Sequence, residues 1–537
     1  MKIRKGIFFI FAVFFCVPLS VYGQQNWMHV YGDTSVAEWA DHMLPTRDGG
    51  LLIAGGATDL TTSSHETDTL FLKLDSNGNK RWAKTYGFAG REDWIQSVQQ
   101  TSDSGYVALC TSKLSASQWD VFILKLDADG EILWKKKIVP NTSYTIWVQL
   151  LEETTDGGYM IDGDINAPTE TAKDFFLMKL DAQGNILWNK VTGGGDLSLR
   201  AYWTHLYRQT ADGGFIGSGA DWTLLTMSND LLLRHCDSNG SVIWEKTYGQ
   251  KYDVFEGFLV EEWGEAVCQT RGGDFAAAGP YIKTSVPSYL SERDFCIIRT
   301  DDVGNLKWAK RYGIENTIEK VLHMQPTSCD NGFLIDGIYE SSPEVWEPFI
   351  LKTNPDGSIQ WQKSFQCRDA ITRVSRVEFI REVPDGCGYY VFGEIQENQA
   401  ITRNKFLLML DANGSILWQM KFADCTESYC LHTVMQHAGE GFMAAGQSSA
   451  LGSSTDDILV MNLNSFGALP ECAHSPIPRV PPDGAIDLMD TPFSMAPIDA
   501  VVKNAYLPDY KGIITIDDIT NITSGSPAMV DITICDK

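Results

Sequence analysis

The chain has 537 residues, of which 44% are hydrophobic and 21% are charged, and this ordinary globular composition excludes a disordered or collagen-like chain. Its 69 acidic and 43 basic residues give a formal net charge of −26. Because so acidic a body repels phosphate backbones, we expect no nucleic-acid partner.

The N-terminal segment has the layout of a secretory signal peptide. A basic start, KIRK, precedes apolar residues 7–21, a stretch too short to span a bilayer. Val21 and Gly23 place small residues at the −3 and −1 positions of a cleavage site. We therefore predict a signal peptide over residues 1–23 and an exported chain that is extracellular or periplasmic. No later segment is apolar for long enough to predict a membrane span.

One sequence unit recurs along most of the chain. The stretch DTLFLKLDSNGNKRWAKTYG begins at Asp68 and returns as DVFILKLDADGEILWKKKIV from Asp120 and in five further copies. The repeated tryptophans are Trp82, Trp134, Trp188, Trp244, Trp308, Trp361 and Trp418. Their spacing runs from 52 residues (Trp82 to Trp134) to 64 (Trp244 to Trp308), a period typical of propeller blades.

Each copy of the unit predicts a β-hairpin. Its first strand alternates apolar and polar residues, Asp and Gly mark the turn, and the second strand leaves through the Trp. Two more strands precede the hairpin, joined by a second turn such as Asp48-Gly49-Gly50. Four strands per unit, repeated around a ring, predict a β-propeller.

The two ends of the repeat region complete each other. The last copy, DDILVMNLNSFG from Asp456, lacks a Trp strand, whereas NWMHVYG from Asn26 is a Trp strand with no hairpin before it. Pairing the Trp27 strand with residues 457–463 completes the last blade and leaves no open sheet edge. We predict an all-β, eight-bladed propeller of four-stranded blades over residues 24–467, closed by its N-terminal strand.

The repeated hairpin resembles a known motif. Its D-x-x-G-x-x-x-W pattern is similar to the tryptophan-docking motif of quinoprotein-type eight-bladed propellers, and the fuller unit resembles the repeats of secreted bacterial propellers. The resemblance covers about residues 26–467 and implies the fold, which serves both enzymes and scaffolds. The quinoprotein enzymes use an adjacent Cys-Cys pair, a calcium site and a catalytic Asp. Because this chain has no adjacent cysteines, we do not expect their quinone cofactor. We also expect no other cofactor and no metal.

The predicted innermost strands carry a second regular feature. Nine residues before each Asp-Gly-Gly-like turn stand Trp39, Trp94, Trp147, Trp203 and Trp263. With a one-residue insertion, the remaining three blades carry Lys320, Arg376 and Cys430 there. Two residues further on lie Asp41, Gln96, Gln149, His205, Glu265, Glu378 and His432.

These rows allow two interpretations. At the mouth of the central channel, flat aromatic faces beside polar groups would suit sugar rings. The predicted ligand-binding residues are then Trp39, Trp94, Trp147, Trp203, Trp263, Asp41, His205, Glu265, Lys320 and Arg376. Alternatively the tryptophans fill the space between adjacent blades, although packing alone would not select the cations.

A row of lysines follows the first hairpin strand of four blades: Lys73, Lys125, Lys179 and Lys352. We predict that each extends over the neighbouring blade and meets the Asp two residues on.

The composition changes from Ala468. Nine of the chain's 20 prolines lie between Pro470 and Pro527. Residues 468–537 predict a Pro-rich linker followed by strand-like stretches, forming either an extended appendage or a small β module docked on the propeller. A disulfide between Cys472 and Cys535 is one candidate pairing that would tie its end to the last blade; the sequence does not fix the pairing.

Three functions remain open at this point. The favoured one is a non-catalytic secreted binding or scaffold module whose partner is a glycan or another cell-surface polymer. The second is a propeller enzyme, either a quinoprotein-like oxidoreductase or a polysaccharide-active enzyme that uses channel carboxylates. The third is a cell-envelope scaffold for protein partners. His205 and His432 fall in opposite blades, too far apart for one zinc ion, and we expect no catalytic residue and no metal.

Overall fold

The structure, a computed structural model, describes residues 27–32, 35–61, 66–115, 118–140, 145–166, 173–192, 200–223, 228–250, 258–262, 264–285, 291–313, 317–342, 345–367, 373–383, 388–396, 403–422, 429–436, 441–448 and 456–465, and six strands between 486 and 536. The predicted signal peptide and Cys472 lie outside these residues. Within them the secondary structure is entirely β, and no helix is long and apolar enough to cross a membrane.

The first half of the propeller follows β1 (Trp27–Gly32) with four blades in chain order. Blade 1 contains β2 (Val36–Pro45), β3 (Leu51–Asp59), β4 (Thr67–Leu74) and β5 (Lys80–Phe88). Blade 2 contains β6 (Asp93–Gln100), β7 (Tyr106–Ser115), β8 (Gln118–Leu126) and β9 (Ile132–Pro140). Blade 3 contains β10 (Thr145–Glu153), β11 (Tyr159–Asn166), β12 (Lys173–Leu180) and β13 (Ile186–Thr192). Blade 4 contains β14 (Arg200–Gln209), β15 (Phe215–Thr223), β16 (Ser228–Cys236) and β17 (Val242–Gln250).

The second half continues in the same order. Blade 5 contains β18 (Phe258–Glu262), β19 (Ala266–Gln269), β20 (Phe275–Ser285), β21 (Ser291–Thr300) and β22 (Leu306–Gly313). Blade 6 contains β23 (Glu319–Pro326), β24 (Phe333–Ser342), β25 (Val345–Thr353) and β26 (Ile359–Cys367). Blade 7 contains β27 (Arg373–Glu382), β28 (Gly388–Gln396), β29 (Arg403–Asp411) and β30 (Ile416–Phe422). Blade 8 contains β31 (Tyr429–Gln436), β32 (Phe442–Ser448) and β33 (Asp457–Leu463).

Each blade is an antiparallel sheet whose strands pair in chain order, with the first strand innermost. In blade 5 the inner strand is divided, because β18 and β19 both pair with β20. Blade 8 receives β1 as its fourth strand, in a register that runs from Trp27 opposite Asn462 to Tyr31 opposite Ile458. The structure thus confirms the all-β fold, the eight blades and the closure by the N-terminal strand.

The hairpin turns follow from their Asp and Gly residues. In the turn of blade 2, the Asp127 carboxylate accepts hydrogen bonds from the backbone N–H groups of Asp129 (2.9 Å) and Glu131 (2.8 Å). Gly130 has a φ of 77°, a left-handed conformation that other residues adopt only at a cost. Six other blades carry a glycine with a similar φ in the corresponding turn.

Neighbouring blades pack through apolar clusters and through the repeated tryptophans. Phe88 of blade 1 meets Phe122 of blade 2 edge-on, with ring centroids 5.2 Å apart, within one such cluster. The indole N–H of Trp82 donates to the carbonyl of Ala128 in the hairpin turn of blade 2 (3.1 Å). The same bond to the next blade is made by Trp134, Trp188, Trp244, Trp308 and Trp361.

The lysine row differs from the prediction. Lys125 is buried, and its Nζ atom contacts Asp103 (2.8 Å) in the inner hairpin turn of its own blade, together with the Thr101 hydroxyl (2.9 Å). Lys73, Lys179 and Lys352 contact the equivalent Asp48, Asp156 and Asp330. The Asp two residues after Lys73, Lys125 and Lys179 is unavailable because its carboxylate accepts hydrogen bonds within its own turn, and the residue two positions after Lys352 is Asn354. The prediction of a partner there was wrong.

The C-terminal strands take an extended path around the propeller. They are β34 (Ile486–Met489), β35 (Ser494–Pro497), β36 (Ala500–Asn504), β37 (Ile514–Asp518), β38 (Ile522–Gly525) and β39 (Val530–Asp536). In that order they pair antiparallel with the outermost strands of blades 6, 5, 4, 2, 1 and 8. We call these six strands the belt. It runs around the ring in the direction opposite to the chain order of the blades.

Candidate functional site

The inner strands place the predicted row at one height in the ring. Trp39, Trp94 and Trp147 each lie two residues before a β-bulge. Lys320, Arg376 and Cys430 occupy the same register in blades 6, 7 and 8. The backbone therefore brings these six positions to equivalent places around the channel. In blade 4, the backbone of Trp203 pairs with Ala220, and the structure does not describe the Trp203 side chain. Trp263 lies outside the described residues.

The bulge itself explains the second predicted row. Its unpaired residues are Asp41, Gln96, Gln149, Leu322, Glu378 and His432. A bulge turns its extra side chain away from the regular alternation of the strand. His205 differs, because its backbone stays paired with Ser218 and the irregularity in β14 follows it. Glu265 lies between β18 and β19, where its backbone N–H donates to Ala278 (2.8 Å).

An aromatic cleft opens between blades 2 and 3. Trp94, Trp119 and Trp147 line it, with Gln96 and Thr111 among its polar side chains, and its volume is about 210 Å³. The rings of Trp94 and Trp119 are in contact, with centroids 4.9 Å apart. Trp147 is 58% exposed and Trp119 40% exposed, so two of the three indoles present large areas to solvent.

The row of inner-strand residues predicted from the sequence did not include Trp119. This residue stands in β8, opposite Lys113 of β7, and is not part of an inner strand. A signal for it exists in the repeat, because Trp119 immediately precedes the Asp that opens the hairpin unit. Trp346 of blade 6 has the equivalent position, opposite Glu340 of β24.

The tryptophans of the inner-strand row differ from one another in the side chains and backbone that they contact. Trp39 lies against Gly56, where a Cβ atom would overlap its ring, and its indole N–H donates to Asp41 (3.0 Å). This member of the row therefore packs within its own blade, whereas the alternative interpretation placed the tryptophans between adjacent blades. In blade 3, Gln149 donates its side-chain amide to Asp164 (2.8 Å), which orients the amide beside Trp147.

Charged side chains are frequent in the inner strands of blades 6 and 7. Lys405 bonds to both Glu378 and Glu394, the latter at 3.3 Å. The hydrogen bond between His323 and Asp336 (2.9 Å) raises the pKa of His323, although burial and the positive charges of Arg381 and Arg376 oppose the effect.

His432 of blade 8 lies across the blade boundary from Asp41 of blade 1, with Nδ1 and Oδ1 3.9 Å apart. Burial lowers the pKa of His432, and the Asp41 charge opposes that change. Within the part of the chain that the structure describes, no group of three or more His, Cys, Asp or Glu residues is arranged to hold a metal ion.

Comparisons with known proteins identify neither a family nor a function for this chain. No protein-family model matches the chain, and no curated protein matches it. A eukaryotic initiation factor is similar at 8% identity, over 75% of this chain and 96% of the other, with a TM-score of 0.33. A Penicillium chrysogenum alpha-L-arabinanase complexed with arabinobiose is similar at 10% identity, over 73% and 99% of the two chains, with a TM-score of 0.31. Neither likeness bears on the ligand of this chain.

Proposed function

We propose that this β-propeller is an exported, non-catalytic binding protein for carbohydrate, and that a sugar residue occupies the cleft between blades 2 and 3. One observation carries the proposal: three indoles, two of them largely exposed, line a single cleft. Exposed tryptophans cost solubility, so their concentration at one place is typical of a binding surface.

The chemistry of the cleft suits a glycan. The C–H faces of a sugar ring pack on flat aromatic faces, while its hydroxyl groups need hydrogen-bonding partners at the edge. Gln96 and Thr111 supply an amide and a hydroxyl, already bonded to each other at 3.1 Å. With a volume of about 210 Å³, the cleft is smaller than pockets that enclose a whole drug-sized ligand. It suits one residue of a polymer that lies across the surface.

The test is glycan-array binding followed by titration with the chain from residue 24 onward. We expect Trp147→Ala and Trp119→Ala each to weaken binding about tenfold or more, because each removes an aromatic face worth roughly 1–2 kcal/mol. Leu187→Ala is the matched control. Leu187 is as exposed as Trp147, at 58%, but lies on the outer strand of blade 3.

The outcomes separate cleft binding from other sites. Binding that is lost in both tryptophan variants and kept in Leu187→Ala, at unchanged thermal stability, supports the proposal. Equal binding by all four proteins would move the ligand away from the cleft, and a protein that binds no glycan would leave a scaffold for protein partners as the better interpretation.

A second candidate, a polysaccharide-active enzyme, rests on the carboxylates of blade 7. Glu378 occupies the bulge of an inner strand beside Lys405, which also bonds to Glu394. Two carboxylates at one place are what glycoside hydrolysis requires. Release of reducing ends from a bound polysaccharide, abolished in Glu378→Gln, would favour this enzyme over the binding protein.

A further inference from the structure

Blade 6 repeats the aromatic pair of blade 2 with one change of chemistry. Lys320 has the inner-strand register of Trp94, and Trp346 has the register of Trp119. The Lys320 Nζ atom lies 4.8 Å from the centroid of the Trp346 ring, as Trp94 lies 4.9 Å from Trp119. The position that presents an indole in blade 2 therefore presents an ammonium group in blade 6.

Blade 7 extends this change. Arg376 occupies the same register as Lys320 and is exposed. In the described part of the chain, the Arg376 side chain makes no hydrogen bond or ion pair, and the contact that the Lys320 side chain makes is with the Trp346 ring. Among the described residues neither cation has a carboxylate partner, although the chain has 69 acidic residues. Packing does not account for them, because both are exposed to solvent.

The ring places these cations opposite the cleft. Blades contact their neighbours in chain order, and blade 8 contacts blade 1. Blade 6 therefore stands across the channel from blade 2, and blade 7 across from blade 3. Since the register is shared, the two cations and the indoles Trp94 and Trp147 lie at the same height. A ligand laid across the channel mouth meets aromatic faces on one side and positive charge on the other.

We propose that Lys320 and Arg376 form an anion subsite that selects acidic glycans, binding the carboxylate or sulfate group of a polymer whose sugar ring occupies the aromatic cleft. The inference rests on the proposed carbohydrate-binding function. An arginine guanidinium offers two parallel N–H donors to a carboxylate or sulfate. The Trp346 ring holds the lysine ammonium by a cation–π contact, so that less side-chain freedom is lost on binding.

The experiment compares acidic probes with neutral probes of the same backbone. Oligogalacturonate is titrated beside its methyl ester, and dextran sulfate beside dextran, so that the two arms distinguish a carboxylate from a sulfate. We expect one acidic probe to bind about ten- to a hundredfold more tightly than its neutral partner, and added salt to reduce the difference. The preference should disappear in Lys320→Gln/Arg376→Gln.

The control removes the same two charges elsewhere. Arg81→Gln/Lys307→Gln changes two outer-strand residues that each precede a docking tryptophan, and it should keep the preference for the acidic probe. Neutral and acidic probes that bind equally, a preference that survives in Lys320→Gln/Arg376→Gln, or a failure to bind any of the four probes would overturn the subsite.

The cleft itself is tested separately by Trp147→Ala. Loss of neutral and acidic binding together in that variant, without an acidic preference in the wild type, would leave the carbohydrate function standing and remove only the subsite. If the acidic probe binds Trp147→Ala as tightly as the wild type but still requires Lys320 and Arg376, the proposed binding of a sugar ring in the cleft is contradicted.

Discussion

At the scale of single residues, four buried lysines depend on one aspartate each. The Lys125 side chain is 3% exposed, and its partner Asp103 is 54% exposed. Removing the carboxylate charge leaves the lysine buried beside neutral groups, which costs more than the loss of an exposed ion pair. We expect Asp103→Asn to lower the free energy of unfolding by about 1–3 kcal/mol.

The midpoint of urea unfolding measures this effect. The control is Asp129→Asn, which removes the same charge from the exposed hairpin turn of the same blade and should change stability by less than about 0.5 kcal/mol. Equal destabilisation by the two variants would show that the buried lysine does not need its aspartate.

Asp162 differs from Asp103 because its own carboxyl group is buried. Its side chain is buried in blade 3, where it accepts the backbone N–H of Tyr207 from blade 4 (2.8 Å). Burial raises the pKa of Asp162 to about 7, although that hydrogen bond and the Arg208 charge oppose the change. The folded state therefore retains a proton that the unfolded chain releases near pH 3.8. The stability that this group contributes is present below pH 3.8 and is lost as the pH rises to 7.

We expect Asp162→Asn to remove this dependence. Relative to the wild type, the variant should gain up to about 1.4 kcal/mol for each pH unit between 4 and 7. Urea unfolding at pH 5 and pH 8 checks the difference. Parallel pH profiles of the two proteins would mean that Asp162 is ionised in the fold at pH 5.

At the scale of elements, the docking of one blade on the next depends on a glycine in each hairpin turn. Gly130 has a φ of 77°, and a Cβ atom there would lie 3.0 Å from the Trp82 ring. We expect Gly130→Ala to destabilise the protein by about 2–4 kcal/mol, from the left-handed backbone and the displaced indole together.

Gly49→Ala measures the backbone contribution by itself, so its difference from Gly130→Ala gives the contribution of the indole. Gly49 has a φ of 79° but no atom within 4 Å of an added Cβ, so this variant carries the backbone cost alone, about 1–2 kcal/mol. Thermal unfolding compares the stability of the two variants. If both variants lose the same stability, the indole contributes nothing at the blade boundary.

The repeat made the blades predictable but not every side chain of the site. A few adjacent residues determine each hairpin with an Asp-Gly turn. The positions of these turns in the sequence therefore predicted where the strands of the eight blades lie. The bulge in six of the inner strands has no local signature, since it depends on the register with the second strand, and so Leu322 was missed. Trp119 was missed because it reaches the cleft from the third strand of its blade. Sequence spacing along one strand does not show that proximity.

At the scale of the whole molecule, the belt covers edges that the blades leave open. The outermost strand of an isolated blade has unpaired backbone groups, which invite association with other chains. Belt strands pair with these edges in six blades, whereas β13 and β30 have no fifth strand among the described residues. The sequence predicted extended segments in the tail but not their partners, because strands of four to seven residues pair there with edges that are distant along the chain, from Cys367 opposite Ile486 to Trp27 opposite Asp536.

The closing blade depends on both ends of the chain. β1 lies between β33 and β39, so the N-terminal strand is hydrogen-bonded on both sides only while the last belt strand is in place.

We expect a chain that ends at residue 526, and so lacks β39, to unfold at least about tenfold faster, a loss of roughly 1.4 kcal/mol of kinetic stability. Ending the chain at residue 485 should speed unfolding further, because all six edges are then exposed. Unfolding rates in urea, followed by tryptophan fluorescence, measure both effects. An unchanged rate in the shorter chains would show that the ring closes on β33 and β1 alone, and that the belt serves another purpose than holding the propeller shut.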